Sequence, residues 1–535
     1  MRGYIQRITE RSSDDRLPIG LTLLSGAIAA ALVFPMLWLF IEAVTVEPDR
    51  AQELLISART AEVLVNSLLL MVGVTAASIV LGVPLAYLTV RTDLPFRRFW
   101  SVAVALPLVV PSYVGAFAFV SAFGPRGAFH SLLEPLGIER LPEIYGLPGA
   151  IFVITLYTYP YVYLTTRAAL ITFDTRLIDA ARSLNHGRWT AFRRVTFPQI
   201  RPAVAAGGLL SALYAVSDFG TPAIMRLSVF TRQIYVEYNA FGRDYAALLS
   251  LQLLAVVMVV LALEWAVRSN RTVQGGEGNQ TDSRVSLGAL RWPATLLPAG
   301  VSVIALVVPV WILLLWLFRT TTDRRPSMAF EWIQVLNSVS VAAATAIVAA
   351  LAALPIAYLA GRHDSWLATV FERATYVGFA VPGIVLALAL VYFGAGYAPG
   401  IYLTLPLLIF AYVVRFIPQV VGSTRTSILQ IDSQLIEASR TLGETPVGSF
   451  RRVSLPLARS GIVAGSALVF LTTMKELPVT LVLRPSGFET IVTQIWRAQE
   501  TALYQYAAVP ALLLLVISGL SMVVLLAQED AEGGL

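Results

Sequence analysis

The sequence predicts an all-α integral membrane protein with about twelve transmembrane helices, arranged as two parallel six-helix repeats. Three observations support this prediction. The 535-residue chain is 57% hydrophobic and only 13% charged, which leaves too little polar surface for a water-soluble globule. Apolar runs of about 20 residues, the length that crosses a bilayer, recur along the chain. Two arginine-rich polar segments that lie between these runs also match each other in sequence.

The apolar runs locate the predicted spans. Six lie near residues 17–43, 62–90, 99–123, 147–169, 203–224 and 246–267, and six more lie near 292–318, 335–360, 373–395, 401–421, 461–483 and 507–527. The first run is too long for the apolar core of a cleaved signal peptide, so we expect it to remain as a span. Pro107, Pro111 and Pro382 fall inside runs and are candidates to break their helices.

The two groups of six spans are separated by a polar stretch. Residues 268–284 are rich in Gly, Asn and Gln, which is the composition of a linker. We therefore predict a first transmembrane domain over 1–267, a cytoplasmic linker over 268–291 and a second transmembrane domain over 292–535.

The two halves are repeats of one another. Val65–Arg91 aligns with Leu336–Arg362, and Pro111 aligns with Pro382 at the same spacing. Further along, Arg167 aligns with Arg425 at a shorter spacing, so the first half is expected to carry a longer loop near 123–145. The chain is predicted to be one element of roughly 250 residues, duplicated and fused.

The distribution of arginine predicts the orientation. Most arginines lie in the N-terminal tail, the linker and the segments 91–98, 167–201, 362–373 and 425–459, and the loops 44–61 and 124–146 carry more acid than base. Because cytoplasmic loops are enriched in basic residues, both termini are predicted to be cytoplasmic. Six spans per half then make the repeats parallel. The net charge of +6 is attributed to this topology, and no nucleic-acid partner is predicted.

The matched arginine-rich segments are Leu177–Pro202 and Leu435–Pro456. Each is predicted to start with a helix that has Asp179 or Glu437 in its opening turn, where a negative charge favours the helix dipole. Asn185 and Gly443 are expected to allow a left-handed turn before a second helix. Pro198 and Pro456 are expected to stop that second helix ahead of the next span.

These segments resemble the cytoplasmic loop signature of the membrane subunits of binding-protein-dependent ABC importers. The signature has Glu-Ala-Ala, then Gly after three residues, then a branched apolar residue and Leu-Pro. The matching residues in the second copy are Glu437, Ala438, Ser439, Gly443, Val453, Leu455 and Pro456, and those in the first copy are Asp179, Ala180, Ala181, Asn185, Val195, Phe197 and Pro198. Asp, Asn, Ser and Phe depart from the signature.

The resemblance covers nearly the whole chain and implies the type I ABC importer transmembrane fold in a bacterial inner membrane. In that family the loop helix sits in a groove of the ATP-binding subunit and carries its motion to the spans. The implied partners are two ATP-binding subunits on the cytoplasmic side, a periplasmic or extracellular substrate-binding protein and membrane lipid, with no cofactor. The alternative interpretation is that both segments are amphipathic linkers lying on the bilayer.

The chain is not expected to hydrolyse ATP itself. A phosphate-binding P-loop needs a lysine after a glycine-rich turn, and the only lysine is Lys475, in the sequence T-M-K-E-L-P. If ATP drives transport, its hydrolysis belongs to another chain. The absence of cysteine also excludes disulfides and thiol catalysis.

Two equivalent segments, Ala215–Tyr235 and Met474–Thr490, bear on the substrate. Together with the fused layout they resemble the permeases of ferric iron importers. Thiamine is the first alternative, and sulfate, molybdate and polyamine permeases are further ones. The histidines His130, His186 and His363 are scattered over loops, so no metal-binding residues are predicted.

Three charged residues in these segments have two interpretations. Asp218 lies inside the apolar run 203–224, and Lys475 and Glu476 lie inside the run 461–483. Charges inside a membrane usually face a pore or one another. They are candidates for the translocation path or its gate. They are equally candidates for helix-end residues that stabilise a turn.

Two rival classes stay open at this stage. A secondary transporter would also show repeats, but it needs ionisable coupling groups near the midplane, and most spans here carry no internal charge. A membrane enzyme would need a cluster of catalytic residues in its polar loops, and the sequence offers none.

Overall fold

The computed structural model describes residues 17–124, 127–129, 134, 144–173, 183, 187–269, 285–319 and 328–533. Within these ranges the regular structure is helical, and the one β-bridge pairs Thr92 with Val285. The helices of the first half are α1 Ile19–Thr45, α2 Pro48–Leu55, α3 Ala58–Arg91, α4 Arg97–Ala103, α5 Ser112–Phe123, α6 Gly146–Ile171, α7 Arg188–Ala191, α8 Phe197–Ser217, α9 Gly220–Ile224, α10 Phe230–Asn239 and α11 Arg243–Ser269.

The second half repeats this pattern after the linker. Its helices are α12 Arg291–Ala294, α13 Leu296–Ser302, α14 Val308–Phe318, α15 Trp332–Arg362, α16 Trp366–Ala380, α17 Gly383–Tyr397, α18 Leu405–Leu429, α19 Ser433–Thr441, α20 Pro446–Ser449, α21 Leu455–Met474, α22 Pro478–Leu483, α23 Ile491–Glu500 and α24 Ala508–Gly533. Short π turns at Phe192–Thr196, Val303–Val307 and Phe450–Ser454 join neighbouring helices, and 3₁₀ turns lie at Leu106–Val109, Gly288–Leu290 and Tyr504–Ala507.

The membrane character predicted from the sequence is confirmed. Among the described residues, nine helices are long and apolar enough to cross a membrane, and two bent pairs raise this number to eleven. A shorter apolar helix, Tyr504–Leu520, lies where the twelfth span is predicted. Each of the twelve predicted runs therefore overlaps one of these helices or bent pairs.

Four of the predicted spans differ in detail from the helices observed. The runs 99–123 and 373–395 are not straight helices: each is a pair of helical arms bent by 89° in the first half and by 101° in the second. The runs 203–224 and 461–483 are also broken, because α8 ends at Ser217 and α21 ends at Met474. A short helix follows each of these ends, so every half contains one bent span and one interrupted span.

Proline explains the position of the bends. Pro111 directly precedes α5 and Pro382 directly precedes α17. Proline has no N–H and restricts the residue before it to extended conformations, so a helix ends at that point and a new one starts. Both prolines had been singled out in the sequence, and the expectation that they break helices is confirmed. Pro107 lies inside the 3₁₀ turn next to the first bend.

The chain packs into two compact units, each described here by itself. Unit I contains Val46–Phe330 and Gln494–Met522, and unit II contains Met1–Thr45, Glu331–Thr493 and Val523–Leu535. The first span, α1, thus belongs with helices of the second half, where it packs on α15, α16 and α17. The apolar helix α14 of the second half packs on α5 in unit I. The division of the sequence at 1–267, 268–291 and 292–535 stays a prediction, and the packing follows this different grouping.

Each unit is built on the same three-helix core. In unit I, α3, α6 and α8 pack on one another, and in unit II, α15, α18 and α21 do so. Small residues permit the close approach. A Cβ added to Gly207 would lie 2.6 Å from the Cα of Val162, and a Cβ added to Gly465 would lie 2.6 Å from the Cα of Val420. Packing of this kind replaces the hydrophobic driving force that lipid does not supply.

Equivalent hydrogen bonds support the internal repeat. The Asn66 side chain donates to the Ser228 carbonyl at 3.1 Å, and the Asn337 side chain donates to the Glu489 carbonyl at 2.8 Å. The hydroxyls of the next residues, Ser67 and Ser338, accept from the N–H groups of Phe230 and Ile491 at 3.1 and 2.9 Å.

A second matched pair of bonds lies at the other end of these helices. Arg91 donates to the Phe173 carbonyl at 3.4 Å, and Arg362 donates to the Ile431 carbonyl at 3.1 Å. Phe173 and Ile431 each lie four residues before the start of one of the two matched arginine-rich segments.

Substitution of Gly465 tests the close packing of the core. Gly465→Ala places a methyl group against the backbone of α18, and overpacking of this kind costs about 1–3 kcal/mol. We expect the melting temperature of the purified protein to fall. Gly519→Ala, in a helix where an added Cβ meets nothing within 4 Å, is the control and should melt like the wild type. Equal melting temperatures for the two variants would contradict the packing.

Candidate functional site

The second arginine-rich segment forms two short helices joined by a tight turn. Asp432 caps α19, because its carboxylate accepts from the Gln434 N–H at 3.0 Å. Glu437 lies one turn further along, so the expectation that it occupies the opening turn is wrong: Asp432 has that role. Glu437 and its neighbour Ala438 are exposed and do not contribute to a core.

Gly443 makes the turn between the two helices. Its φ is +91°, a left-handed conformation that glycine adopts without a steric penalty and other residues rarely adopt. The Leu442 N–H donates to the Ala438 carbonyl at 3.1 Å, and the Glu444 N–H donates to the Ser439 carbonyl at 3.1 Å. These bonds use carbonyls that the end of α19 leaves open. The left-handed turn expected at Gly443 is confirmed.

A hydroxyl contact holds the two short helices together. Ser439 and Ser449 are buried with their hydroxyl oxygens 2.5 Å apart, and Glu444 forms an ion pair with Arg452. The outward face is apolar and exposed: Leu442 is 86% exposed and Val447 is 75% exposed. Exposed apolar side chains that are grouped in this way are typical of surfaces that contact another protein or a membrane.

The second short helix runs on into the next span. Residues from Pro446 to Met474 form one helical segment of 29 residues, which passes through the π turn Phe450–Ser454. Pro456 therefore does not stop the helix, and neither does Pro198, which lies just after the π turn Phe192–Thr196. Each proline is the second residue of an α-helical stretch, where its missing N–H costs little. The π turn before each stretch accommodates the change in the number of residues per helical turn. The expectation of a helix stop is wrong for this reason.

An aromatic contact fixes each π turn to a long helix of its own half. The ring of Phe450 packs edge-on against Tyr358 of α15, with 5.0 Å between ring centroids. Phe192 packs edge-on against Tyr87 of α3 in the same way, at 5.3 Å. The four residues occupy matched positions of the repeat. The loop segment of each half is thereby joined to two core helices, one through the main chain and one through this contact.

Much of the first copy lies outside the described residues. These include Asp179, Ala180, Ala181 and Asn185. Val195 lies in the π turn Phe192–Thr196, and Pro198 is the second residue of α8.

Asp218 occupies the interruption between α8 and α9. Its carboxylate accepts from the hydroxyl of Ser112 at 2.9 Å and from the N–H of Gly220 at 3.2 Å. The Tyr214 hydroxyl donates to Ser112 at 3.1 Å. Because Ser112 is the first residue of α5, the acid joins the interruption in one span to the bend in another.

Glu476 occupies the equivalent interruption between α21 and α22. Its carboxylate forms an ion pair with Arg415 of α18 at 3.4 Å and accepts from the Val479 N–H at 3.5 Å. Arg415 also donates to the Val381 carbonyl at 2.9 Å, at the bend between α16 and α17. Lys475 caps the end of α21 and is half-buried.

Both acids bond to the N–H groups that open the short helices, which is the helix-end role anticipated as one of the two interpretations. Arg415 and Ser112 were missed by sequence reasoning. A signal for Arg415 existed, since a charge inside the apolar run 401–421 marks a partnered residue. Ser112 gives no such signal, because a serine inside a span is common.

In the part of the chain that the structure describes, no group of three His, Cys, Asp or Glu side chains is arranged to hold a metal ion.

The comparisons identify the class of protein. The family model of the binding-protein-dependent transport system inner membrane component matches residues 78–273 and 353–530. The chain belongs to this family and carries two fused copies of its domain.

Particular relatives extend the similarity to the full length. The Fe(3+)-transport system permease protein FbpB 2 of Haemophilus influenzae is 32% identical over 95% of this chain and 98% of its own. The ferric transport system permease protein FbpB of Actinobacillus pleuropneumoniae is 23% identical over 91% of this chain and 74% of its own. A probable molybdenum ABC transporter permease of Haloferax volcanii is 30% identical over 42% of this chain and 79% of its own.

Gly383 provides a test of the acid-centred contact in the second half. A Cβ at Gly383 would lie 2.7 Å from Oε1 of Glu476 and 3.3 Å from Cζ of Arg415. Gly383→Ala should therefore displace the ion pair and reduce binding-protein-stimulated ATP hydrolysis by the assembled transporter about tenfold, the effect of about 1.4 kcal/mol on the active state. Gly396→Ala lies on the same helix and meets nothing within 4 Å, so it is the matched control. Equal rates for both variants would show that the ion pair tolerates displacement.

Proposed function

We propose that this chain is the membrane-spanning permease of an importer that carries ferric iron, driven by ATP-binding subunits in trans. The family membership supports an ABC importer permease. The observation that carries the choice of iron is the similarity, over nearly all of both chains, to a permease named for Fe(3+) transport. The molybdenum permease matches less than half of this chain.

Molybdate is therefore the second candidate substrate, because that relative is 30% identical over 42% of this chain. Sulfate stays as an alternative because permeases named for sulfate transport also match part of this chain. Thiamine and polyamine stay as alternatives from the sequence alone. Direct uptake measurements distinguish them.

The arginine-rich segments are proposed as the contacts for two ATP-binding subunits. The exposed Leu442 and Val447 supply an apolar face that fits into a groove of the ATP-binding subunit. The π turn transmits a movement of this face to α21. The aromatic contact between Phe450 and Tyr358 transmits the same movement to α15. The equivalent contact of Phe192 and Tyr87 supports a matched role for the first copy, which includes Asp179, Ala180, Ala181 and Asn185.

Asp218, Lys475 and Glu476 are proposed to lie at the translocation path or its gate. The support comes from the interrupted backbone around them. Non-helical backbone at membrane depth is tolerated where it is buried in protein or lines a cavity. Interrupted helices also mark the substrate sites of many transporters.

The same proposal includes the orientation of the protein in the membrane and the side on which each partner binds. Both termini and both arginine-rich segments are placed in the cytoplasm, and a periplasmic or extracellular binding protein delivers the substrate to the other face. The docked binding protein and the closed ATP-binding subunits act only through their different affinities for the inward-open and outward-open states.

Uptake of radiolabelled ferric iron, compared in cells with and without this gene, tests the substrate. Thiamine and molybdate are measured in parallel. We expect deletion to abolish uptake of ferric iron and to leave the other two unchanged. Loss of molybdate or thiamine uptake alone would change the proposed substrate but support the proposed importer function. Unchanged uptake of all three would contradict the proposal.

Gly443 tests the coupling role. Gly443→Asp puts a β-carbon at a φ of +91°, which glycine tolerates best, and adds a charge to the docking face. We expect normal insertion in the membrane, loss of uptake and weak recovery of the ATP-binding subunits on purification. Glu437→Lys, which reverses an exposed charge on α19, should act in the same direction.

Gly400→Asp is the control for the Gly443 substitution. Gly400 is exposed in a turn outside the arginine-rich segments, and an added Cβ there meets nothing within 4 Å. Uptake should stay normal. Normal uptake and normal complex recovery in Gly443→Asp would contradict the assignment of the coupling segment.

A further inference from the structure

We propose that Arg415 is a positioning residue that locks the bent span and the interrupted span of the second half together, and that Ser112 does this in the first half. This inference rests on the proposed transport function and deepens its account of the gate. It assigns a role to a partly buried arginine that the loop signature does not explain.

The bend at Val381 and Pro382 creates the need for Arg415. A carbonyl in a continuous helix accepts from the N–H four residues later, and the direction of the chain changes by 101° at this bend. The Val381 carbonyl instead accepts from Nη1 of Arg415 at 2.9 Å. At membrane depth, a carbonyl without its helical partner is tolerated when a protein group takes that place. The arginine therefore satisfies the backbone at the bend.

The same guanidinium reaches the second interruption. Nε of Arg415 lies 3.4 Å from Oε2 of Glu476, and the two side chains are only 17% and 10% exposed. The other carboxylate oxygen accepts from the Val479 N–H, at the start of α22. Arg415 and Glu476 thus form a continuous polar connection from the bend of one span to the interruption of the other.

Gly383 provides the room for this connection. It is the first residue of α17, and its missing side chain leaves the space in which the carboxylate of Glu476 and the guanidinium of Arg415 lie. The aligned residue in the first half is Ser112, which fills that space with its own hydroxyl. At this place the second half has glycine and an ion pair between two long side chains. The first half has serine and the shorter acidic side chain of Asp218.

The first half has a connection of the same design that is built from hydroxyl groups. Ser112 donates a single hydroxyl bond to Asp218 at 2.9 Å, and Tyr214 donates to Ser112. Among the described residues Asp218 makes no ion pair. A hydroxyl bond to a carboxylate is charge-assisted and roughly twice as strong as a bond between neutral groups.

Pulsed electron spin resonance on the assembled transporter tests the proposal. The chain contains no cysteine, so spin labels at Tyr397→Cys, at the end of α17, and at Ser486→Cys, just beyond α22, report one distance within unit II. Both positions are exposed. In the wild-type background we expect one narrow distance distribution, measured with neither substrate nor binding protein present.

The test variant is Arg415→Met combined with Glu476→Gln, which removes both charges and leaves no buried ion unpaired. We expect the distance distribution to broaden about twofold and uptake to fall about tenfold, as expected when a buried polar network is removed. Glu476→Gln alone keeps the shape of the side chain and should broaden the distribution in the same direction.

The control is Arg425→Met combined with Glu372→Gln, a second ion pair of unit II that joins α18 to α16 at 3.5 Å. It should leave the distribution narrow. A narrow distribution in the Arg415 variant, or equal broadening in both, would overturn the proposal. Because the distance is measured without substrate, a wrong assignment of iron would leave this result unaffected.

Discussion

The requirement that every backbone polar group be satisfied inside the bilayer shapes this protein more than any other constraint. Most of the chain meets it with long helices, whose N–H and C=O groups bond within the helix. The exceptions are one bent span and one interrupted span in each half. At three of these places a side chain bonds to the backbone: Asp218 in the first half, and Arg415 and Glu476 in the second. At the bend of the first half, Ser112 bonds to the carboxylate of Asp218. The geometry that the two repeats share thus includes the bent and interrupted spans as well as the continuous helices.

A continuous helix connects the second arginine-rich segment to one of those interruptions. The segment from Pro446 to Met474 stays helical through its π turn. In the proposed coupling role, a force applied to the exposed face beside Gly443 is delivered about 30 residues away, where Glu476 ties two spans together. The contact of Phe450 with Tyr358 adds a lateral connection to α15. This arrangement suits a permease whose energy source is a separate ATP-binding subunit.

The sequence was sufficient for features that depend on local composition and on the repeat. Apolar runs located the helices, Pro111 and Pro382 located the bends, and the matched segments located the turn at Gly443. The sequence did not predict the features that depend on long-range contacts or on helix winding. Pro456 is tolerated because a π turn precedes it, and no periodicity reveals that turn. The partner of Glu476 is 61 residues away on another helix, so only the unusual position of a charge inside an apolar run pointed to it.

The most direct test of the account is cross-linking from the apolar face of the second coupling segment. A single cysteine at Leu442, 86% exposed in a chain without native cysteines, would carry a short photoactivatable cross-linker in the assembled transporter. A matched cysteine at Phe241, 88% exposed in the turn between α10 and α11, is the control. We expect a cross-link to the ATP-binding subunit from position 442 and none from position 241. A cross-link to that subunit from position 241, or none from position 442, would contradict it.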